Sequence, residues 1–432
     1  MTWRTWYKEH LFTPAQAVQQ IKSGQRVVVA HACGEPSIIL DALVAHAAQY
    51  ENVEIIHMVA MGKAAYCQPQ YDKNFHHNAF FLGGSTRAAA AEGRVDFTPV
   101  YFSEIPSLLR EDLRPNVTLL QCSPPDAHGY VSLGVSVDYT KPAAEASDLV
   151  IAQVNQNMPR TLGDSFLHVT QIGCLVEADT PVIELAPPKI GDVERAIGEN
   201  VASLVRDGDT LQLGIGAIPD AVLLFLKDKK DLGIHSEMFS DGVVELVEAG
   251  VITNAKKNIH KGKSVATFLM GTRRLYDYVD NNPEVAMMPV DYVNDPRVIC
   301  QNDNLVSINS CVQVDLMGQV VSTCVGLRQI SGVGGQVDFV RGANMSRGGR
   351  TIMAMPSTAA KGTISKIVPL IDEGAAVTTS RYDVNYVVTE YGIAQLKGKT
   401  LRERARELIK IAHPDFREGL IKVYEERFHA KF

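Results

Sequence analysis

The sequence predicts two related open α/β domains with mainly parallel sheets, and two observations support this fold class. The first is an internal repeat, because residues 21–40 and residues 205–224 share one pattern. Each segment has a polar turn with glycine, a short strand, a loop of small residues, and a proline that opens an apolar helix. The second is the alternation of short β-rich runs with helical patterns in both halves, which is typical of parallel sheets covered by helices.

The repeat extends over more than 100 residues, although its offset changes slowly. The offset rises from 183–184 residues at the first pair of segments to 189 at the last. The later pairs are residues 81–87 with 268–274 and residues 126–132 with 315–321. We therefore predict one domain over residues 1–188 and a second over residues 189–432. Ligands of such sheets bind beyond the carboxyl ends of the strands, so the cleft between two similar domains is the expected active site.

Periodicity predicts individual strands and helices in both halves. The strands expected from it are 26–30, 53–58, 149–154, 210–214, 265–268 and 375–379. The helices expected from it are 36–47, 219–227, 242–249 and a charged amphipathic helix over 400–412.

Charge and composition exclude several classes of protein. The chain has 42 basic and 49 acidic residues, a net charge of −7 and a pI near 6.0, which argues against nucleic-acid coating and against adhesion to an anionic membrane. No apolar run reaches the ~18 residues of a membrane span. The seven cysteines are scattered and include no C-x-x-C pair, which argues against a disulfide framework or a zinc ribbon. We expect a cytoplasmic protein.

Two glycine-rich loops are candidate ligand sites. Residues 214–219 read GIGAIP and invite comparison with a dinucleotide fingerprint, but Pro219 stands at the third glycine position and simply opens the helix. Backbone N–H groups at such a helix start can face an anion or an oxyanion, and a tight turn is the alternative. The second loop, residues 331–336, reads SGVGGQ and offers the same two interpretations.

Glu237 is the residue that we single out for chemistry. It follows a short strand and precedes a helix, where open α/β sheets place their reactive groups. A surface or capping glutamate is the alternative, and neighbouring His235 is more typical of a structural histidine. The sequence has no H-E-x-x-H spacing, no G-x-S-x-G elbow and no P-loop.

Further short motifs accompany the two glycine loops and Glu237. Together the motifs occupy residues 123–126, 128–134, 214–219, 235–237, 240–242, 331–336, 388–392 and 411–414. In combination they resemble the acetyl-CoA hydrolase/transferase family, whose acyl-CoA:carboxylate CoA-transferases include 4-hydroxybutyrate and butyryl-CoA:acetate CoA-transferases. The likeness spans nearly the whole chain.

The resemblance implies a role for each candidate residue. Glu237 would carry the intermediate as a glutamyl-CoA thioester, and Asn294 would orient a substrate carboxylate. The CoA-binding and oxyanion positions would be Gly214, Ile215, Gly216, Ala217, Ile218, Gly332, Gly334 and Gly335. The family also implies a homodimer or larger homo-oligomer, coenzyme A as a substrate, and neither a metal nor another cofactor.

The expected activity is therefore CoA transfer between a short-chain acyl-CoA, such as 4-hydroxybutyryl-CoA or butyryl-CoA, and acetate. An ionised glutamate can conserve the thioester without a general base, which fits the lack of a histidine-based constellation. Hydrolysis of acyl-CoA at the same site is the first alternative. A non-catalytic acyl-CoA-binding protein and a sugar-phosphate isomerase or deaminase on a similar fold are further alternatives.

Overall fold

A computed structural model describes residues 2–432, and these residues form two compact units. Unit 1 ends its first segment at Leu185 and also contains Val265–Val293. Unit 2 consists of Ala186–Ser264 and Asn294–Phe432. The sequence assigns residues 265–293 to the second domain, whereas in the structure they belong to unit 1.

Short helices and strands alternate through the first segment of unit 1. Its helices are α1 (Trp3–Glu9), α2 (Pro14–Val18), α3 (Ser37–Ala45), α4 (Arg87–Ala91), α5 (Ile105–Glu111) and α6 (Thr140–Ala146). Its strands are β1 (Arg26–Val29), β2 (Val53–His57), β3 (Phe75–Ala79), β4 (Val95–Phe97), β5 (Val117–Cys122), β6 (Tyr130–Ser132), β7 (Leu149–Asn155), β8 (Phe166–His168) and β9 (Cys174–Ala178).

The alternation continues over residues 186–293. The helices here are α7 (Asp192–Ser203), α8 (Ala217–Leu224), α9 (Asp241–Glu248), α10 (Arg273–Val279) and α11 (Val290–Val293). The strands are β10 (Thr210–Leu213), β11 (Gly233–Ile234), β12 (Met238–Phe239), β13 (Ser264–Ala266), β14 (Phe268–Leu269) and β15 (Val285–Met287).

Residues 294–432 complete unit 2. The helices are α12 (Pro296–Ile299), α13 (Gln336–Met345), α14 (Leu401–Lys410) and α15 (Pro414–Phe428). The strands are β16 (Leu305–Ser310), β17 (Gln313–Asp315), β18 (Val320–Val321), β19 (Cys324–Val325), β20 (Arg328–Gln329), β21 (Arg350–Ala354), β22 (Thr358–Ala359), β23 (Ile364–Ser365), β24 (Ile367–Val368), β25 (Tyr386–Thr389) and β26 (Gly392–Gln395).

The main sheet of unit 1 is parallel throughout, in the order β4-β3-β2-β1-β5-β7-β9. Its central strands β1 and β5 are almost entirely buried and mainly apolar, as expected where helices cover both faces. Val27, Ile55, Leu119 and Ile151 lie in one core cluster, and Leu43 of α3 packs in the same cluster.

The main sheet of unit 2 runs β12-β10-β16-β21-β25-β26, with β11 also paired to β10. The pairs β10–β11, β10–β16, β16–β21 and β21–β25 are parallel, whereas β12 and β26 pair in the antiparallel sense. A second core lies under α14 and α15, where Met353 and Val387 of the sheet join Leu408 and Tyr424.

The two sheets confirm the internal repeat and the predicted fold class. In unit 1, Val27 of β1 lies between Ile55 on one side and Val117 on the other. In unit 2, Leu211 of β10 lies in the same way between Ile234 and Val306. Each half therefore places its first sheet strand in the interior of a mainly parallel sheet, between two parallel neighbours.

Most predicted elements end within three residues of the observed bounds, and two strand predictions are wrong. Residues 265–268 divide into the end of β13 and the start of β14. Residues 375–379 form no strand, and only Thr379 makes an isolated bridge, to Val320. The backbone N–H groups of Thr378 and Thr379 both donate to Val320 O, so this run contacts β18 at one point and does not form a ladder.

Two findings bear on the environment of the protein. Within residues 2–432, no helix combines the length and the apolar character needed to cross a membrane. All seven cysteines are free thiols, and all but Cys300 are buried.

Candidate active site

Glu237 occupies a short link between two strands that both pair with β10. β11 ends at Ile234, and β12 begins at Met238. His235 and Ser236 before it, and Met238 and Phe239 after it, are buried, whereas the Glu237 side chain is half-buried. The carboxylate of Glu237 is therefore accessible to a ligand, while the buried residues on both sides fix its backbone.

Asn294 contacts the Glu237 carboxylate directly. Its Nδ2 donates a hydrogen bond of 2.9 Å to Glu237 Oε2, and its side chain is fully buried. The next residue, Asp295, caps α12 by accepting a hydrogen bond from the backbone N–H of Arg297. Asn294 therefore stands directly before a capped helix start, which fixes its backbone.

Gly335 also lies directly beside the Glu237 carboxylate. A Cβ built at this position would overlap Glu237 Oε2 and Asn294 Nδ2, so that a side chain would displace one of them. Gly335 is also the N-cap of α13, which places the amino-terminal end of this helix beside the carboxylate. Glu237, Asn294 and Gly335, which the sequence analysis selects from three separate segments, thus meet at one point.

Gln336, which follows the glycine loop Gly332–Gly335, links this loop to other parts of unit 2. Nε2 of Gln336 donates to Ser322 Oγ at 2.9 Å and to Thr379 Oγ1 at 3.0 Å. Gly332 and Gly334 lie on this loop, and Gly334 has a positive φ of 53°. The sequence predicts the loop but not the side chain that anchors it.

The loop of residues 214–218 begins where β10 ends, beside Glu237. Leu213 pairs with Met238, the residue that follows Glu237. Gly216 has a φ of 112°, which strongly favours glycine, and it caps the start of α8. Ile215 is exposed, and no atom lies within 4 Å of a Cβ built at Gly214 or Gly216. The loop is therefore open on its outer side.

Three buried side chains near Glu237 are absent from the sequence predictions. Ser236 Oγ contacts both Leu213 N and Leu213 O, at 3.2 and 3.1 Å. Asn254 Oδ1 accepts from Ile234 N at 2.8 Å, and Lys257 Nζ donates to Ile234 O at 2.7 Å. The adjacent Lys256 is exposed, so a K-K pair in the sequence gives no signal that one lysine is buried.

Burial changes the proton affinity of two groups near this strand link. It lowers the pKa of the Lys257 ammonium to about 7. It raises the pKa of Asp220, a first-turn residue of α8 that accepts a 3.3 Å hydrogen bond from Ser240 Oγ. His235 is fully buried with its ring 6.3 Å from that of Phe339, as expected for a structural histidine.

The segment 388–392 lies at another strand end of unit 2. Glu390 follows β25 and accepts from both the N–H and the Oγ of Ser357, at 2.8 and 2.5 Å. Thr389 Oγ1 donates to Ile411 O at 2.6 Å, and the Tyr391 ring meets the His413 ring edge-on. The two carboxyl-terminal motifs of the sequence are therefore joined in space.

This arrangement suits a carboxylate nucleophile. A partly exposed carboxylate with one amide donor, a helix start and two glycine loops around it can attack a carbonyl and stabilise the oxyanion that forms.

Comparison with known proteins identifies relatives over the full chain. Residues 1–187 match the family model of the acetyl-CoA hydrolase/transferase N-terminal domain, and residues 271–424 match that of the C-terminal domain. A 4-hydroxybutyrate coenzyme A transferase of Clostridium kluyveri is 64% identical over 99% of this chain and all of the relative. A butyryl-CoA:acetate CoA-transferase of Anaerostipes caccae is 37% identical over 99% of this chain and 98% of the relative.

Solved structures agree with these relatives. RipA from Yersinia pestis has a TM-score of 0.95 at 39% identity, covering 99% of this chain and 100% of that one. A 4-hydroxybutyrate CoA-transferase from Porphyromonas gingivalis has a TM-score of 0.87 at 43% identity, with the same coverage.

Proposed function

This chain belongs to the acetyl-CoA hydrolase/transferase family, and from that premise we propose how Glu237 carries its CoA-transferase activity. It is a CoA-transferase, because full-length relatives up to 64% identical are named so. The observation that supports the role of Glu237 is the convergence of Asn294 and Gly335 on its carboxylate.

The proposed reaction exchanges one thioester for another in two similar halves. An oxygen of Glu237 attacks the acyl-CoA carbonyl, the C–S bond breaks, and an acyl-glutamyl anhydride and CoA thiolate form. The thiolate then attacks the Glu237 carbonyl carbon and releases the first carboxylate, which leaves a glutamyl-CoA thioester. The second carboxylate reverses these steps, so the kinetics are ping-pong.

Asn294 and Gly335 act on the charge that moves through Glu237. The amide of Asn294 holds the ionised carboxylate in one rotamer before attack. When the thiolate attacks the Glu237 carbonyl, the oxygen beside Gly335 becomes an oxyanion at the start of α13. Loss of one such donor typically costs ~3 kcal/mol of transition-state stabilisation.

We assign CoA binding to the two glycine loops. Residues 214–218 start beside Glu237 and are open outward, which leaves room for the pantetheine arm. Residues 332–335 lead to the oxyanion position. Because every nucleophile in this scheme is already an anion, the chemistry calls for neither a metal nor an organic cofactor.

The proposed substrates are short-chain acyl-CoA thioesters and carboxylates. Relatives are named for 4-hydroxybutyrate and for butyryl-CoA with acetate, so we take 4-hydroxybutyryl-CoA or butyryl-CoA with acetate as the first pairs. A relative from Yarrowia lipolytica that is 28% identical is named acetyl-CoA hydrolase, and hydrolysis is the competing outcome.

The decisive experiment is the intact mass of the enzyme after incubation with acyl-CoA in the absence of added acid. We expect a covalent CoA adduct that disappears when acetate is added and that is absent from Glu237→Ala. Steady release of free CoA without an adduct would instead support the hydrolase. Full exchange activity in Glu237→Ala would overturn the mechanism.

Two further properties are proposals. The seven free thiols support a cytoplasmic location, since a reducing compartment keeps thiols unpaired. Large apolar side chains on the surface of unit 2, with Leu327 90% and Leu370 64% exposed, support a homo-oligomer. Light scattering on the purified protein tests the oligomer.

A further inference from the structure

Lys257 is a fully buried lysine that contacts the strand leading to Glu237. Its Nζ donates to Ile234 O at 2.7 Å and to Lys263 O at 2.6 Å. Its side chain is 1% exposed, and no carboxylate is among these partners. Burying a primary amine is unfavourable unless its N–H groups are satisfied, so its two carbonyl partners account for its position.

The lysine stem and the strand are fitted to each other. A Cβ built at Gly233 would lie 2.6 Å from Lys257 Cγ, so the stem crosses the strand at a residue without a side chain. This crossing gives Gly233, in the segment that leads to Glu237, a physical reason to be glycine.

Asn254 completes the attachment from the same loop. Its Oδ1 accepts from Ile234 N at 2.8 Å, and its Nδ2 donates to Ser264 Oγ at 3.1 Å. The backbone N–H and C=O of Ile234 are thus hydrogen-bonded to the side chains of Asn254 and Lys257. These two side chains take the place that a neighbouring strand would have here. The loop is held in turn by Asn302, whose Oδ1 accepts from Asn258 N at 3.2 Å.

The residues between Ile234 and Glu237 are also hydrogen-bonded to β10. His235 N donates to Leu211 O, and Ser236 Oγ contacts Leu213 N and O. Met238, on the other side of Glu237, pairs with Leu213. The chain is therefore hydrogen-bonded both before and after Glu237. At Ile234 these hydrogen bonds come from Asn254 and Lys257, whose side chains belong to another loop.

We infer that Lys257, together with Asn254, is a positioning residue that sets the Glu237 carboxylate at its attack distance. The inference rests on the proposed role of Glu237. A displacement of about 1 Å in a reacting group can lower a rate about 100-fold. Loss of the attachment therefore acts on the chemical steps, and substrate binding to other parts of the site is left unchanged.

The test compares Lys257→Met with Lys256→Met, the exposed neighbour. Methionine keeps most of the stem and removes Nζ together with its two hydrogen bonds. We expect kcat to fall about 10- to 100-fold in Lys257→Met while both KM values stay within about twofold, with no change in Lys256→Met. The rate of CoA-adduct formation in a single turnover should fall by the same factor as kcat, with full final occupancy.

Asn254→Gly is the second variant, and it decides the question if Lys257→Met does not fold. Asn254 has a φ of 57°, which glycine adopts without strain, so this change removes only the side-chain attachment. We expect the same kcat defect. Wild-type kcat per folded enzyme in either variant, with occupancy counted by the adduct, would overturn the inference. Absence of an adduct in the unmodified enzyme would instead contradict the proposed role of Glu237.

Discussion

Asn294 donates a hydrogen bond of 2.9 Å to Oε2 of Glu237, and a Cβ at Gly335 would overlap both atoms of that bond. The carboxylate is therefore held between an amide and a bare backbone. This contact keeps the carboxylate of Glu237 in one orientation.

Two substitutions of Asn294 should distinguish its effect on the orientation of the Glu237 carboxylate from its effect on the ionisation of that group. In Asn294→Ala the donor to Glu237 is lost, and we expect kcat to fall about 100-fold. In Asn294→Asp a second carboxylate faces Glu237, which raises the pKa of Glu237 and reduces its ionised fraction. The acid limb of the kcat–pH profile should therefore move to higher pH in both variants, and further in Asn294→Asp, which adds a like charge, than in Asn294→Ala, which loses only the neutral donor. Equal profiles for the two variants would count against this role.

Gly335→Ala should abolish exchange without unfolding the protein. The added methyl overlaps the carboxylate and the amide, whereas the φ of −92° at this position suits alanine. We expect at least about a 100-fold loss of kcat with a melting temperature close to that of the unmodified enzyme. A fully active Gly335→Ala enzyme would show that the carboxylate has more room than the structure gives it.

The two glycines of the first loop form a matched pair. Gly216 needs its positive φ of 112°, so Gly216→Ala should strain the backbone by about 1–3 kcal/mol and lower both stability and activity. Gly214 has open space around a Cβ, so Gly214→Ala should fold normally. If this loop binds CoA, Gly214→Ala should raise KM for acyl-CoA and leave KM for acetate unchanged. Equal stability losses in the two variants would argue against the backbone explanation.

Lys257 should give the folding stability a measurable pH dependence. The folded protein releases the Lys257 proton near pH 7, whereas the unfolded chain keeps it up to the ordinary lysine pKa of 10.5. Between these values the unfolded state binds more protons, so the free energy of unfolding rises with pH.

Urea unfolding at several pH values above 7 measures this slope, and Lys257→Met is the control that lacks it. Burial, and then the nearby charge of Lys257, lower the pKa of His260, so the comparison is best made above the titration range of histidine. Equal slopes in the two proteins would mean that Lys257 keeps its proton when folded.

Local sequence patterns are sufficient to predict the two sheets. The repeat and the strand runs predict both sheets, because continuous apolar segments and glycine turns are local signals. Glu237 is singled out by its place between a strand and a helix, whereas the roles of Asn294 and Gly335 are expected from a family resemblance. The structure brings these three residues together.

The side chains that hold these residues could not be predicted. Lys257 and Lys256 look alike in sequence, and only the fold decides which one is buried. Residues 375–379 are apolar and β-branched enough to predict a strand. They form none, because their contact with Val320 is a single point.

The burial of six cysteines has a practical consequence for assays that detect free CoA through its thiol. Only Cys300 is partly exposed, and burial raises the pKa of Cys33 and Cys174 to about 11, where little thiolate exists at neutral pH. A colorimetric disulfide reagent should therefore react with the native enzyme at about one thiol per chain, a small and constant background. The six buried thiols become reactive only when the protein unfolds, so the same cuvette reports catalysis and the integrity of the enzyme.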